Sequence, residues 1–147
     1  MNYTISVLLV DDHPLLRSCL QRALEDDPEL SVVGTAANGA EAVKLAAEVA
    51  PHVVVMDLAM PVMDGIEATR RILIRAPQTA VLMLSMNSEQ SSFQKAIEAG
   101  AKGYLVKNAT NFNLADAVKA VAAGKQVLDP GFAEQPSVLD SEPIQSR

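Results

Sequence analysis

Short apolar runs alternate with helix-period stretches five times along this chain. The runs Ile5–Val10, Ser31–Ala36, Val53–Met56, Ala80–Leu84 and Gly103–Val106 predict strands. After the first run, Leu16, Cys19, Leu20, Ala23 and Leu24 recur at helical spacing, with Pro14 suited to the first turn and Asp27-Pro28 ending the helix. Asn38-Gly39 reads as the turn after the second strand. Val43, Ala46, Ala47 and Ala50 then form one apolar helix face, closed by Pro51. Ile66–Arg75 predicts a third helix, capped near Asp64 and ended before Pro77. The fourth helix is expected over Ser88–Ala99, with Ser88 as N-cap and Gly100 past its end. Leu114, Ala117, Val118, Val121 and Ala122 give the fifth helix a stripe that stops at Gly124.

Strands joined by helices make right-handed crossovers and a parallel sheet covered on both faces. The continuous apolar runs of the middle strands fit burial on both sides. The expected fold is therefore α/β, a (βα)5 three-layer sandwich around a parallel five-stranded sheet. The domain is expected to span residues 1–126. Residues 127–147, with Pro130, Pro136 and Pro143 among Ser, Glu, Asp and Gln, are read as a flexible linker or tail.

Composition narrows the function. The chain has 147 residues, enough for one domain and a tail, and is 49% hydrophobic. Aromatics are only 3% and Trp is absent, so the core must be aliphatic. A net charge of −6 argues against this chain alone gripping a nucleic-acid backbone. The single cysteine, Cys19, permits no intrachain disulfide and suits a reducing compartment; its place on the apolar helix face predicts a buried thiol. No signal-peptide pattern and no apolar run of the ~20 residues that span a bilayer is present, which leads to the expectation of a soluble, cytoplasmic protein with no membrane partner.

Ligands of parallel α/β sheets gather at the carboxyl ends of the strands. Asp11, Asp12 and His13 follow the first strand, Asp57 the third, Ser85 and Met86 the fourth, and Lys107 the fifth. Three carboxylates at one edge repel each other and call for a cation. Oxygen ligands with room for waters suit Mg2+, whereas one Cys and two His lack the spacing of a zinc site. A carboxylate can attack phosphorus and form an acyl phosphate. Mg2+, Lys107 and the Ser85 hydroxyl with a backbone N–H would then each neutralise one equatorial oxygen.

The segments Val10-Asp11-Asp12-His13-Pro14, Met56-Asp57-Leu58-Ala59-Met60-Pro61-Val62-Met63-Asp64-Gly65, Leu84-Ser85-Met86 and Gly103-Tyr104-Leu105-Val106-Lys107 closely resemble the receiver domain of two-component response regulators. The resemblance covers residues 5–124 and implies the flavodoxin-like strand order 2-1-3-4-5. It implies that Asp57 accepts a phosphoryl group from a sensor histidine kinase. Asp11, Asp12 and Asp57 would hold Mg2+, with the backbone carbonyl of Ala59 as a further ligand. Ser85 and Tyr104 would be switch positions, and Lys107 would pair with the phosphate.

Asp-Asp-His-Pro, and Asn108 where many receivers have proline after the lysine, look like the NarL/FixJ-type (LuxR-like) transcription regulators. That branch implies a homodimer on activation and DNA contact only through a C-terminal helix-turn-helix domain beyond this chain. Self-phosphotransfer and autodephosphorylation would be its only chemistry, so it is not expected to be an enzyme in the turnover sense. Ala59 has no side chain to orient an attacking water, although Asn87 has one.

Rival readings meet specific obstacles. An aspartate-nucleophile phosphatase wants its nucleophile on the first strand and a second acid two residues on, where this chain has Asp57 on the third strand and then Ala59. A flavin protein wants a phosphate-cradling loop after the first strand, where Asp11-Asp12 would repel phosphate. A stand-alone, phosphorylation-independent interaction module would not need the acids. His13 is read as a loop residue beside the acids, not a metal ligand, and His52 as the start of a strand. The methionines are expected to be core or loop filler.

Overall fold

The structure, a computed structural model, describes residues 4–86, 90–107 and 113–129. The elements are β1 (Ile5–Val10), α1 (Pro14–Glu25), β2 (Leu30–Ala36), α2 (Gly39–Val49), β3 (Val53–Asp57), α3 (Gly65–Arg75), β4 (Ala80–Ser85), α4 (Gln90–Glu98), β5 (Gly103–Val106), α5 (Leu114–Ala122) and β6 (Val127–Leu128). Every strand pair is parallel, in the order β2-β1-β3-β4-β5-β6. The expected 2-1-3-4-5 sheet is present and gains a short sixth strand.

That sixth strand corrects the domain boundary. Val127 and Leu128, which the sequence pattern assigns to the tail, pair with Gly103 and Tyr104. Asp129 N then donates to Tyr104 O at 2.8 Å. Two residues are too short to show alternation; they add on because β5 would otherwise present an open edge of unpaired N–H and C=O groups.

Alternate residues of the sheet feed two cores. Leu8, Val10, Val54, Met56, Val81 and Met83 meet α2, α3 and α4 through Ala42, Ala68, Ile72, Phe93 and Ala96. Val7, Leu9, Val53, Val55, Leu82 and Leu84 meet α1 and α5 through Leu24, Leu114, Ala117, Val118 and Val121. This is period-2 alternation on strands covered on both sides.

Three helices begin on side-chain caps. Asn38 Oδ1 accepts from Glu41 N at 2.9 Å, Asp64 Oδ1 from Glu67 N at 2.9 Å, and Asn113 Oδ1 from Asp116 N at 3.0 Å. Each cap contributes about 1 kcal/mol. Asn38-Gly39, expected as a turn, is thus the cap and first residue of α2. The proposed Ser88 cap lies outside the described residues.

α1 departs from its predicted face. Only Leu24 is buried there, Leu15 is 80% exposed, and Cys19 is exposed rather than buried. α1 lies over the sheet beside α5, so solvent reaches the side carrying Cys19. Helical spacing identifies a stripe but not which part of it a neighbour covers.

In the loop from β3 to α3, Met63 N donates to Pro61 O at 2.7 Å, closing a γ-turn on Val62. Val62 has φ of 71° and is 81% exposed. A β-branched residue in that region is strained by about 1–3 kcal/mol, with no packing to compensate. Val62→Gly is therefore expected to stabilise the protein by about 1 kcal/mol after the entropy of the added freedom is subtracted. Urea unfolding measures this; a variant no more stable than the parent would contradict the strain argument.

Candidate functional site

Strand register assembles the site. Val10 pairs with Met56, so the next residues, Asp11 and Asp57, emerge side by side at the carboxyl edge. Ser85 pairs with Val106, which brings Lys107 to the same edge, where its N–H donates to Ser85 O at 2.7 Å. Asp11, Asp57 and Ser85 are all buried, in contrast to the usual exposure of strand-end polar groups.

Lys107 ties the acids together. Its Nζ stands 2.8 Å from Asp11 Oδ2 and 3.1 Å from Asp57 Oδ1, with all three side chains no more than 5% exposed. Burial pushes the Asp57 carboxyl up to about 6; Lys107 pulls against that rise, while Asp11 and Asp12 add to it. The Asp57 charge is thus disfavoured where it stands. Asp57 Oδ2 has no hydrogen-bond partner among the described residues.

The turn after β1 is built from Asp11 itself. Asp11 Oδ1 accepts from His13 N at 2.9 Å, a local Asx-type turn that leads into α1. The same turn carries the His13 ring back over the acids, with Nδ1 3.3 Å from Asp11 Oδ1 and 3.1 Å from Asp12 Oδ1. One helical turn later, Arg17 Nη1 donates to Asp11 O at 2.6 Å and holds the turn from below. The roles of His13 and Arg17 were not evident from the sequence. Their signal is the spacing: a short acid, two residues to the ring, then four to a guanidinium on the same helix face.

Backbone contacts fix the loop after Asp57. Leu58 N donates to Leu84 O and Gly65 N to Leu58 O, both at 2.8 Å. A Cβ on Gly65 would lie 2.3 Å from Asp57 O, so only glycine lets α3 start this close to the acid. Ala59 follows in this loop and is exposed. Tyr104 is fully buried, edge-on to Phe93 at 5.4 Å between ring centroids and 86° between planes. Its ring already fills an inward position. Asn87 and Asn108 lie outside the described residues.

Ligand atoms from Asp11, Asp12, His13 and Asp57 all lie within 4.8 Å of one another. A dication fits this donor set: hard oxygens, an excess of negative charge, and three buried carboxylate oxygens, Asp11 Oδ2, Asp12 Oδ1 and Asp57 Oδ2, without a hydrogen-bond partner. The same edge offers a carboxylate nucleophile beside an ammonium group, the pairing that attack on a phosphoryl group requires.

The response regulator receiver domain family matches residues 7–119. The transcriptional regulatory protein LiaR of Bacillus subtilis is 40% identical over 129 residues, covering 88% of this chain and 61% of that protein. The response regulator UvrY of Escherichia coli is 39% identical over 139 residues, covering 95% of this chain and 64% of that protein. The chain therefore spans less than two thirds of the length of these relatives. Among solved structures, a LuxR-family two-component response regulator from an Aurantimonas species is 38% identical with a TM-score of 0.86, covering 91% of this chain and 96% of that one. The receiver domain of the response regulator NarL from Mycobacterium tuberculosis is 34% identical with a TM-score of 0.80, covering 84% and 99%.

Proposed function

The chain belongs to the response regulator receiver domain family, of the LuxR/NarL type, and on that premise we propose that Asp57 is its phosphoacceptor. The carrying observation is the buried Asp57 carboxylate, ion-paired to Lys107 yet with Oδ2 left without a hydrogen-bond partner. In the proposed step an Asp57 oxygen forms a bond to phosphorus as the phosphorus–nitrogen bond of a kinase phosphohistidine breaks. The imidazole leaves and an acyl phosphate remains.

Asp11, Asp12, Asp57 and the Ala59 carbonyl would hold Mg2+. When bound, the ion supplies positive charge against the transferring phosphoryl oxygens. Lys107 is positioned to leave Asp11 and pair with a second phosphoryl oxygen. Ser85, beside it on β4, is proposed to turn its hydroxyl to the third. Tyr104, already inside, would hold that state through its contact with Phe93 and α4. The chain's chemistry is proposed to stop at self-phosphotransfer and autodephosphorylation.

A sensor histidine kinase is the proposed donor, and activation is proposed to favour a homodimer. DNA would be contacted by a C-terminal helix-turn-helix domain, with residues 130–147 as the link to it. No helix among the described residues is long and apolar enough to cross a membrane. A cytoplasmic location is proposed.

Incubation with acetyl phosphate and Mg2+, read by intact mass, is expected to add one phosphoryl group to the parent chain and none to Asp57→Asn. An adduct that persists in Asp57→Asn would place the acceptor elsewhere. No adduct in either, with no Mg2+ response in unfolding, would favour an interaction module that works without phosphorylation.

A further inference from the structure

We propose that His13 is a nitrogen ligand of the acid site, and that it gives the site a preference for borderline transition-metal dications over Mg2+. This rests on the reading that the acids hold a dication. His13 Nδ1 stands 3.1 Å from Asp12 Oδ1 and 3.3 Å from Asp11 Oδ1. Neighbouring ligands of an ion bonded at about 2.1 Å stand about 3 Å apart, so the ring nitrogen already has the spacing of a ligand next to both carboxylates. The His13 backbone is held beside the acids: His13 N is fixed to Asp11 Oδ1 at 2.9 Å, and Arg17 fixes Asp11 O. Asp57 offers a carboxylate oxygen to the same cluster, and its Oδ2 is buried without a hydrogen-bond partner.

Chemistry turns that placement into selectivity. Carboxylates and waters suit Mg2+, whereas imidazole adds affinity for Ni2+, Cu2+ and Zn2+ and little for Mg2+. A site of oxygens alone would gain from these metals only what softness and size provide. One nitrogen in the set widens the gap. The ring lies at the open side of the site, with its side chain 63% exposed and no helix-capping hydrogen bond from it, so its replacement leaves the fold intact.

The test is calorimetric titration of the 147-residue chain with Ni2+ and, separately, with Mg2+. His13→Asn is expected to weaken Ni2+ by roughly tenfold or more and to leave Mg2+ within about twofold. Asp57→Asn is expected to weaken both, placing the ion in the acid cluster. Electron paramagnetic resonance of the Cu2+-loaded chain reads the ligand directly: nitrogen hyperfine splitting in the parent, lost in His13→Asn. Equal Ni2+ affinity with and without His13, Ni2+ affinity untouched by Asp57→Asn, or splitting that survives the substitution would each overturn the proposal. If Mg2+ binds the parent while His13 makes no difference, only this inference fails; if neither ion binds, the dication reading of the acids fails with it.

Discussion

Asp57→Asn is expected to make the metal-free protein more stable at neutral pH, by about 2–3 kcal/mol. The cause is the folded-state value of about 6 against an ordinary 3.8, raised chiefly by burial. Between those two values the folded state keeps a proton that the unfolded chain has released. Stability therefore falls as pH rises through that window and is flat above it, because the ionised carboxylate is then held in a place that disfavours it. Asparagine has nearly the same shape, carries no charge, and keeps an oxygen for Lys107. The stabilisation should vanish near the ordinary carboxylate value and be complete above about 6. Urea unfolding across this range, without divalent ions, measures it. A variant less stable than the parent at neutral pH would show that the charge of Asp57 supports the fold. Mg2+ at 100 times its dissociation constant should restore about 2.7 kcal/mol to the parent and so close the gap. An acid that burdens the fold until a cation or a phosphoryl group arrives is placed for function.

The frame of this site was legible because it depends on few variables. Strand ends, right-handed crossovers and the order of the motifs bring Asp11, Asp57, Ser85 and Lys107 to one edge, whatever the side-chain detail. The two-sided burial of β3 could be read from Val53-Val54-Val55-Met56 for the same reason. What escaped reading depends on angles and on tertiary neighbours. Cys19 sits at proper helical spacing, yet its exposure is decided by how α1 is rotated against β2 and α5. β6 is recruited by the edge of β5, not by any pattern in Val127-Leu128. Tyr104 reads from the sequence as a switch position, with packing as the alternative, and its contact with Phe93 shows which space it fills. His13 reads from the sequence as a loop residue beside the acids; what escapes is the side-chain turn of Asp11, with the His13 ring within 3.3 Å of both acids. A short-range hydrogen bond of this kind leaves no periodic trace.

Lys107→Met is expected to have the opposite sign and a larger size. Its ammonium pairs with Asp57 at 3.1 Å and stands 2.8 Å from Asp11, in a setting where none of the three side chains is more than 5% exposed. Methionine keeps the length and apolar stem but leaves two buried carboxylates facing each other, and breaking a buried pair on one side costs about 3–5 kcal/mol. Lys107 also lowers the Asp57 value, so its loss pushes that carboxyl beyond about 6 and widens the window in which folding holds a proton. The destabilisation should thus be greatest at neutral pH and shrink as the acids protonate. Mg2+ should relieve it as well, because a dication among the acids replaces the missing charge. Urea unfolding with and without Mg2+ at neutral and acid pH tests each part; a variant as stable as the parent at neutral pH without Mg2+ would refute it. In the Asp57→Asn background the same substitution leaves only one buried carboxylate unpaired, so it should cost less there. That non-additivity is the direct measure of the Lys107–Asp57 coupling that phosphorylation would have to break.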